Sequence, residues 1–200
     1  MKLYTAPTSP YARKVLAVAH EKGLTGKIEK LAAREPGVNL FNMNPLDKIP
    51  TLVTDDGEVL IESALICHYL DEVGGGRRLY PESGKARRRM MQLEAAGHGT
   101  LDAGVLCRME GRMHKPEQIS AEWIERQQKK IKRGIAAMEQ ALGELGAGIT
   151  PIHITYGVTL FFFENHKLAP GWRETHPKLA KWYDEFARQP CMATTAPVAA

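Results

Sequence analysis

The hydroxyl of Ser9 stands directly in front of Pro10, in the stretch TSPYARKV of residues 8–15. Serine is favoured as a helix N-cap and proline at the first helical position, so the pair predicts that a helix starts here. The free N–H groups and the dipole at such a start favour negative charge. Ser9 can accept one of these N–H groups and still donate its own proton to an anion. The alternative is that Ser9 only caps the helix.

A second proline precedes a β-hairpin in the stretch NPLDKIPTLVTDDGEVLIES, residues 44–63. Asp56 and Gly57 form a strong hairpin-turn dipeptide between two β-rich runs. A cis Ile49–Pro50 bond would leave the N–H and C=O of Ile49 facing outward, where an extended peptide can pair with them as an added strand. The spacing alone favours the other interpretation, an ordinary trans proline that ends a loop.

Composition and charge narrow the class of protein. The chain has 200 residues, 44% of them hydrophobic, and its net charge of +4 is too small to indicate a nucleic-acid or membrane partner. Cys67, Cys107 and Cys191 lack a CxxC or metal-ligand spacing, and the seven histidines show no HxxxH or HExxH pattern. These spacings give no reason to expect a metal site. We expect a cytoplasmic protein, because Arg13 and Lys14 interrupt the apolar run that a signal peptide needs and VTLFFF is too short to span a bilayer.

The two halves of the chain differ in periodicity. Residues 1–77 alternate between strand and helix patterns in the order βαβ and then ββα, and the second helix, SALICHYLDEV, ends at three glycines. Residues 85–200 show only helical spacing. Among these helices, ITPIHITYGVTLFFFE is apolar nearly all round, as expected at the centre of a bundle, with Thr150 as N-cap and Pro151 in the first turn. LYPESG is the natural linker.

This arrangement, with TSPYARKV, NPLDKIPTL and LIES running into ALICHYL, resembles the cytosolic glutathione transferase family and its bacterial, serine-type members over essentially the whole chain. The resemblance implies an α/β thioredoxin-like N-terminal domain, residues 1–77, that binds glutathione. It implies an all-α bundle, residues 85–200, that contributes the electrophile pocket. The expected enzyme uses glutathione as co-substrate and holds its thiol as a thiolate for attack on a small electrophile, as in detoxification.

The resemblance also assigns roles to residues. Ser9, four residues before an arginine, is expected to donate a hydrogen bond to the thiolate, and Ile49 with Pro50 to pair with the cysteinyl backbone of glutathione. Glu62 and Ser63 match an acidic-residue-plus-serine motif for the γ-glutamyl end, with Ser63 as helix N-cap. Lys48 is a candidate for the glycyl carboxylate or a solvated loop lysine. The electrophile pocket is expected at Tyr11, Val105 and Arg108.

Other functions on the same fold stay open. A binding or regulatory protein that has lost transferase activity would keep the fold, since fold does not fix function. A disulfide reductase is disfavoured, because position 9 is serine and no CxxC exists. Addition, displacement, peroxidase and dehalogenase chemistry are not separated by the sequence. The resemblance implies a homodimer, in which the basic stretch KARRR of residues 85–89 forms interface ion pairs or a solvated face.

One position departs from the family pattern. The helix opening TPIH carries His153 where an aspartate usually returns a hydrogen bond to the N–H of the cap, forming a capping box. From the sequence we expect that His153→Asp would stabilise the fold by about 0.5–1 kcal/mol.

Overall fold

A four-stranded mixed sheet organises the N-terminal part of the chain. Its strands are β1 (Lys2–Thr5), β2 (Glu29–Ala32), β3 (Thr51–Val53) and β4 (Val59–Ile61), in the spatial order β2-β1-β3-β4. β1 pairs with β2 in parallel, and β3 pairs with β1 and β4 antiparallel. Helix α1 (Pro10–Glu21) connects β1 to β2, and α2 (Ser63–Val73) follows β4. The predicted order, βαβ and then ββα, is confirmed.

The computed structural model describes residues 1–197, which divide into two compact units. The first unit contains residues 1–80 and 189–197, and the second contains residues 81–188. Helix α8 (Pro190–Ala193) belongs to the first unit, although its sequence position groups it with the helical half. The buried Arg13 of α1 explains this placement, because its Nη2 donates to the Met192 carbonyl at 2.9 Å.

A buried ion pair links the C-terminal ends of α1 and α2. Lys22 Nζ lies 3.0 Å from the Asp71 carboxylate, and both side chains are at most 3% exposed. Asp71 also accepts from the N–H groups of Leu79 at 2.8 Å and Tyr80 at 3.1 Å. Burial alone would raise the pKa of Asp71, but these donors and Lys22 bring it below its usual value. The pair therefore fixes the position of Leu79 and Tyr80, in the segment that follows α2.

Helices alone make up the described residues of the second unit, as the sequence predicts. They are α3 (Gly84–Met113), α4 (Ala121–Gln140), α5 (Pro151–Asn165), α6 (Trp172–Thr175) and α7 (Pro177–Phe186), with short 3₁₀ turns between them. α5 is buried along nearly its whole length and packs against α3 and α7. No helix within residues 1–197 is long and apolar enough to cross a membrane.

Glycines allow the helices of this unit to approach closely. A Cβ on Gly104 of α3 would lie 2.3 Å from the ring of Phe163 on α5, and one on Gly134 of α4 would lie 2.0 Å from the hydroxyl of Thr100. Real side chains do not tolerate such separations, so these glycines are required by packing.

The start of α5 changes the expectation for His153. The imidazole Nδ1 lies 3.3 Å from the backbone N of Thr150, which donates to it, and 2.8 Å from the Thr150 hydroxyl. The ring thus takes the place of the absent carboxylate. It is 8% exposed and packs against the rings of Trp182 and Phe186, with centroids 6.0 and 5.8 Å away. The capping interaction that the sequence pattern did not predict is present.

Candidate functional site

The register of the sheet brings three of the predicted site segments to one end of the first unit. Tyr4 near the end of β1 pairs with Thr51 at the start of β3, and Thr51 pairs with Ile61 at the end of β4. The segment after β1 contains Ser9, the residues before β3 are Ile49 and Pro50, and the residues after β4 are Glu62 and Ser63. Antiparallel pairing therefore gathers the three segments at the same sheet end.

Ser9 is the N-cap of α1, as predicted. Its backbone is extended, its side chain is half-buried, and its Oγ accepts from the N–H of Ala12 at 3.2 Å. Ala12 occupies the position where a capping box would place a reciprocating side chain, and its methyl group cannot form a hydrogen bond. Within residues 1–197 the Ser9 hydroxyl donates to no acceptor. Its proton is available for an external acceptor.

The peptide bond between Ile49 and Pro50 is cis. Pro50 is buried and Ile49 is half-buried. In the described part of the chain, neither the N–H nor the C=O of Ile49 forms a hydrogen bond. The structure thus has the short unpaired backbone edge that an extended peptide could use.

Asn44 holds the loop that presents this edge, and the sequence analysis missed it. Its side chain is 2% exposed, and its Nδ2 donates to the Lys48 carbonyl at 2.8 Å and to Thr51 Oγ1 at 3.0 Å. Its Oδ1 accepts from the N–H of Leu46 at 3.0 Å. Every polar group of the side chain is used inside the loop. The dipeptide Asn44-Pro45 is a turn signal that could have indicated this role.

Lys48 and Asp47 complete the same loop. The side chain of Lys48 is exposed, while its carbonyl also accepts from the Thr51 hydroxyl at 2.9 Å. Asp47 adopts a positive φ of 48° and pairs with Arg34 at 2.6 Å. The loop is therefore fixed on both sides of Lys48, whose ammonium group remains in solvent.

Glu62, not Ser63, is the N-cap of α2, so the predicted cap position is wrong by one residue. Glu62 has φ 75°, which turns the chain sharply from β4 into the helix, and its Oε1 accepts from the N–H of Ala64 at 3.4 Å. The buried Ser63 donates its hydroxyl to the same Oε1 at 3.2 Å. The two side chains therefore form one unit, with the exposed carboxylate oriented by the buried serine.

The three residues predicted for an electrophile pocket lie in different units. Tyr11 is in the first turn of α1, two residues after Ser9, and is half-buried. Val105 and Arg108 are on α3 of the helical unit, about one turn apart, and are half-buried. Arg108 Nε donates to His166 Nδ1 at 3.4 Å, a partner that the sequence analysis did not foresee.

The protein's own thiols are buried. Cys67, Cys107 and Cys191 form no disulfide within residues 1–197. Burial raises the pKa of Cys107, and burial followed by the nearby Glu21 raises the pKa of Cys191 to about 12. Within residues 1–197, no three His, Cys, Asp or Glu side chains gather as metal ligands. A thiolate nucleophile at the candidate site would therefore come from a bound molecule.

An open cavity of about 570 Å³ lies at the other end of the sheet, next to Lys2 and Val53. Charged groups that pair locally, including the Met1 amino group and Asp55 at 2.6 Å, occupy its rim. It is separate from the candidate site.

Comparison with known proteins identifies the family. Residues 8–73 match the glutathione S-transferase N-terminal domain, and residues 121–185 match the C-terminal domain. A glutathione transferase family member from Pseudomonas fluorescens Pf-5, solved with bound glutathione, is 36% identical with a TM-score of 0.93, covering 99% of both chains. This chain belongs to the glutathione S-transferase family.

A second structure of the same transferase and one further relative show the same likeness over nearly the whole chain. The Pseudomonas fluorescens transferase was also solved with bound S-(propanoic acid)-glutathione, at a TM-score of 0.89, 36% identity and full coverage of both chains. An uncharacterized GST-like protein of Escherichia coli, YibF, is 28% identical over 200 residues, 98% of each chain. The thioredoxin-like α/β unit and the all-helical unit are those of the glutathione S-transferase fold.

Proposed function

We propose that this protein binds glutathione and holds its thiol as a thiolate for attack on a small electrophile. The observation that carries the proposal is the Ser9 hydroxyl, which accepts from its helix while its proton has no acceptor within residues 1–197. Ser9 follows β1, and β1 pairs with β3, which begins directly after Ile49 and Pro50. The backbone edge of Ile49 is unpaired within residues 1–197. The Ser9 hydroxyl can donate to a thiolate, and the Ile49 edge can pair with the backbone of the cysteinyl residue that carries it.

The magnitude of one hydrogen bond suits this task. A cysteine thiol has a reference pKa of about 8.5, so only a few per cent is ionised at pH 7. A hydrogen bond to a charged group contributes roughly 1.5–3 kcal/mol, which lowers a pKa by about one to two units. The start of α1 adds its helix dipole. Ser9 would thus make the thiolate a major species near neutral pH.

The other predicted residues would hold the tripeptide. The backbone of Ile49 pairs with the cysteinyl residue, and the backbone N–H groups of the first turn of α2, which begins at Ser63, bind the γ-glutamyl carboxylate. The exposed carboxylate of Glu62, oriented by Ser63 at 3.2 Å, binds the ammonium group of the same end. The exposed Lys48 binds the glycyl carboxylate. Asn44 positions this site without contacting the ligand.

The helical unit would supply the pocket for the electrophile, with Val105 and Arg108 of α3. The S-(propanoic acid)-glutathione bound to the Pseudomonas fluorescens relative supports a product in which the glutathione sulfur carries a small acid. The thiolate attacks an electrophilic carbon by addition or by displacement of a leaving group.

Ultraviolet difference spectroscopy tests the proposal. Adding glutathione to the protein at pH 6.5 should produce thiolate absorbance, and the complex should react with 1-chloro-2,4-dinitrobenzene. Retention on immobilised glutathione without thiolate absorbance and without turnover would support the non-catalytic binding protein instead. Absence of binding would overturn both.

We also propose a homodimer in a reducing compartment. Phe41 and Leu46 of the first unit are 61% and 64% exposed, which supports an apolar contact with a second copy. Arg89 pairs with Glu144 of its own chain at 2.7 Å. The interface ion pairs predicted for the basic stretch would therefore involve its other basic residues. Sedimentation should give a dimer at micromolar concentration, and Phe41→Glu should shift it towards monomer. A monomeric wild type would contradict the proposal.

A further inference from the structure

An exposed ion pair ties the loop before β3, residues 43–50, to the end of β2. Arg34 lies two residues after β2, and the preceding Ala33 is fixed to the sheet, because its N–H donates to the Thr5 carbonyl at 3.0 Å. Arg34 Nη1 donates to the Asp47 carboxylate at 2.6 Å, and its Nη2 donates to the backbone carbonyl of Asp47 at 3.1 Å. One guanidinium thus holds both the side chain and the main chain of Asp47.

The backbone of Asp47 adopts a conformation that such contacts stabilise. Its φ of 48° lies in the left-handed region, which residues other than glycine adopt at a cost, aspartate and asparagine less than most. The Asp47 carbonyl belongs to the peptide group that leads into Lys48, so the Nη2 contact fixes the plane of that group. We call the Arg34–Asp47 pair the loop clamp. It sets the direction in which the chain enters Lys48.

The peptide group that follows Lys48 is fixed as well. Its carbonyl accepts from Asn44 Nδ2 at 2.8 Å and from the Thr51 hydroxyl at 2.9 Å. The bond between Lys48 and Ile49 is trans, so its N–H points away from its C=O, and the bound Lys48 carbonyl turns the N–H of Ile49 to the opposite side. With both flanking peptide groups held, the Cα–Cβ bond of Lys48 has a fixed direction.

We propose that the loop clamp selects thiol peptides that end in a free carboxylate after the cysteinyl residue. Arg34 and Asp47 are positioning residues that act through Lys48, whose ammonium group binds the glycyl carboxylate, and they do not touch the peptide. A lysine side chain loses much rotamer freedom when it is ordered, and a fixed backbone reduces what remains to be ordered on binding. The inference rests on the proposed binding of glutathione and names the residues that select the tripeptide.

A matched pair of thiol peptides tests the inference. Glutathione and its glycinamide, in which an amide replaces the terminal carboxylate, differ in one charge and share the cysteinyl and γ-glutamyl parts. Calorimetric titration near neutral pH gives a Kd for each. Wild type should bind glutathione about three- to fivefold more tightly, the size expected for an exposed ion pair. Arg34→Gln should reduce this preference to less than about twofold, because Lys48 then loses its fixed direction.

Variants of Asp47 separate positioning from direct contact. Asp47→Ala should reduce the preference as much as Arg34→Gln does, and the double variant should reduce it no further, because either change breaks the clamp. Asp47→Asn should keep most of the preference, since asparagine tolerates the left-handed conformation and its amide oxygen can accept from Arg34. If Arg34 itself bound the glycyl carboxylate, Asp47→Ala would free it and strengthen glutathione binding, and that result would overturn the proposal.

Arg89 provides the control. Its guanidinium forms a similar exposed two-point contact, with both bonds to Glu144 at 2.7 Å, but it lies on α3 of the helical unit. Arg89→Gln should leave the preference between the two peptides unchanged. In a Lys48→Met background, Arg34→Gln should not alter the preference further, because the group through which the clamp acts is absent. Should Asp47→Ala be unstable in urea, Asp47→Gly, which suits a φ of 48°, replaces it.

The outcomes distinguish the two levels of the proposal. A wild type that binds both peptides equally and shows thiolate absorbance with glutathione would overturn the role of the clamp and leave the transferase function standing. An unchanged preference in folded Arg34→Gln would do the same. A wild type that binds neither peptide would overturn the proposed glutathione binding and this inference with it.

Discussion

Within residues 1–197, two helices begin with a hydroxyl residue followed by proline, and the hydroxyls at the two starts have different partners. At α1, Ser9 is half-buried and accepts from Ala12 at 3.2 Å, and its own proton has no acceptor within residues 1–197. At α5, Thr150 is 5% exposed and its hydroxyl lies 2.8 Å from the imidazole of His153. We call the start of α5 closed, because its hydroxyl contacts a side chain of its own helix, and the start of α1 open, because its hydroxyl does not.

The third residue after the cap accounts for the difference. Ala12 has no polar atom to occupy the Ser9 hydroxyl, whereas His153 places a ring nitrogen against both the N–H and the hydroxyl of Thr150. A hydroxyl–proline start is therefore a candidate anion site only when the third residue leaves the hydroxyl unoccupied and the end of the helix is accessible. By this criterion the start of α1 is a candidate anion site and the start of α5 is not.

The largest effect is expected at the open start. Ser9→Ala should raise the pKa of bound glutathione by about one to two units and lower turnover at pH 6.5 by about 10–100-fold, because one hydrogen bond to the thiolate is lost. Glutathione affinity should change much less, since Ile49, Glu62 and Ser63 still hold the peptide. Titrating thiolate absorbance against pH for both proteins measures the shift.

The neighbouring exposed Thr8 is the matched control for this titration. Thr8→Ala should leave the thiolate curve in place. If the curves of wild type and Ser9→Ala superimpose and Ser9→Ala only loses about 1 kcal/mol of stability, Ser9 is a helix cap and nothing more. A shift caused by Thr8→Ala or Tyr11→Phe would move the catalytic hydroxyl to that residue.

Breaking the closed start should affect stability alone. His153→Ala removes the acceptor of a buried N–H and the ring that packs on Trp182 and Phe186, and should lower the free energy of unfolding by about 2 kcal/mol. Urea denaturation measures this loss. The exposed His114, 47% accessible, gives a control in which alanine should cost little. A shifted thiolate titration in folded His153→Ala would contradict the separation of the two starts.

Local sequence signals gave the fold and the ends of most elements. Ser9-Pro10, Thr150-Pro151, Asp56-Gly57 and the three glycines after α2 each carry a conformational preference that does not depend on distant residues. The candidate site residues were assigned by the resemblance to glutathione transferases, and the register of the sheet places their segments at one sheet end.

The features that the sequence did not reveal depend on contacts between distant residues. Glu62 takes the N-cap of α2 with φ 75°, a conformation imposed by the turn out of β4 and not by glutamate itself. The pairing of Arg108 with His166 joins residues 58 positions apart and requires the close packing at Gly104. Arg13 reaches Met192 across 179 positions. No periodicity encodes these contacts.

A smaller effect is expected when the acid of the usual capping box is introduced. His153→Asp supplies an acceptor worth about 0.5–1 kcal/mol at a helix N-terminus. It also removes the ring between Trp182 and Phe186 and places a charge at a position only 8% exposed. We expect a net loss of about 1 kcal/mol in urea denaturation, opposite in sign to the expectation from sequence alone. A raised denaturation midpoint would show that the ring adds nothing beyond its nitrogen.

The smallest effect is expected when Ser9 at the start of α1 is replaced by threonine, the residue type found at the start of α5. Ser9→Thr keeps a hydroxyl that can accept from Ala12 and donate to sulfur, and threonine caps helices nearly as well as serine. If the surroundings determine the role, the thiolate pKa should move by less than about half a unit and stability by less than about 0.5 kcal/mol. The same thiolate titration serves here, read beside Ser9→Ala. A loss as large as that of the alanine variant would mean that the site requires serine itself, and the comparison between the two starts would then rest on side-chain shape and not on what occupies the hydroxyl.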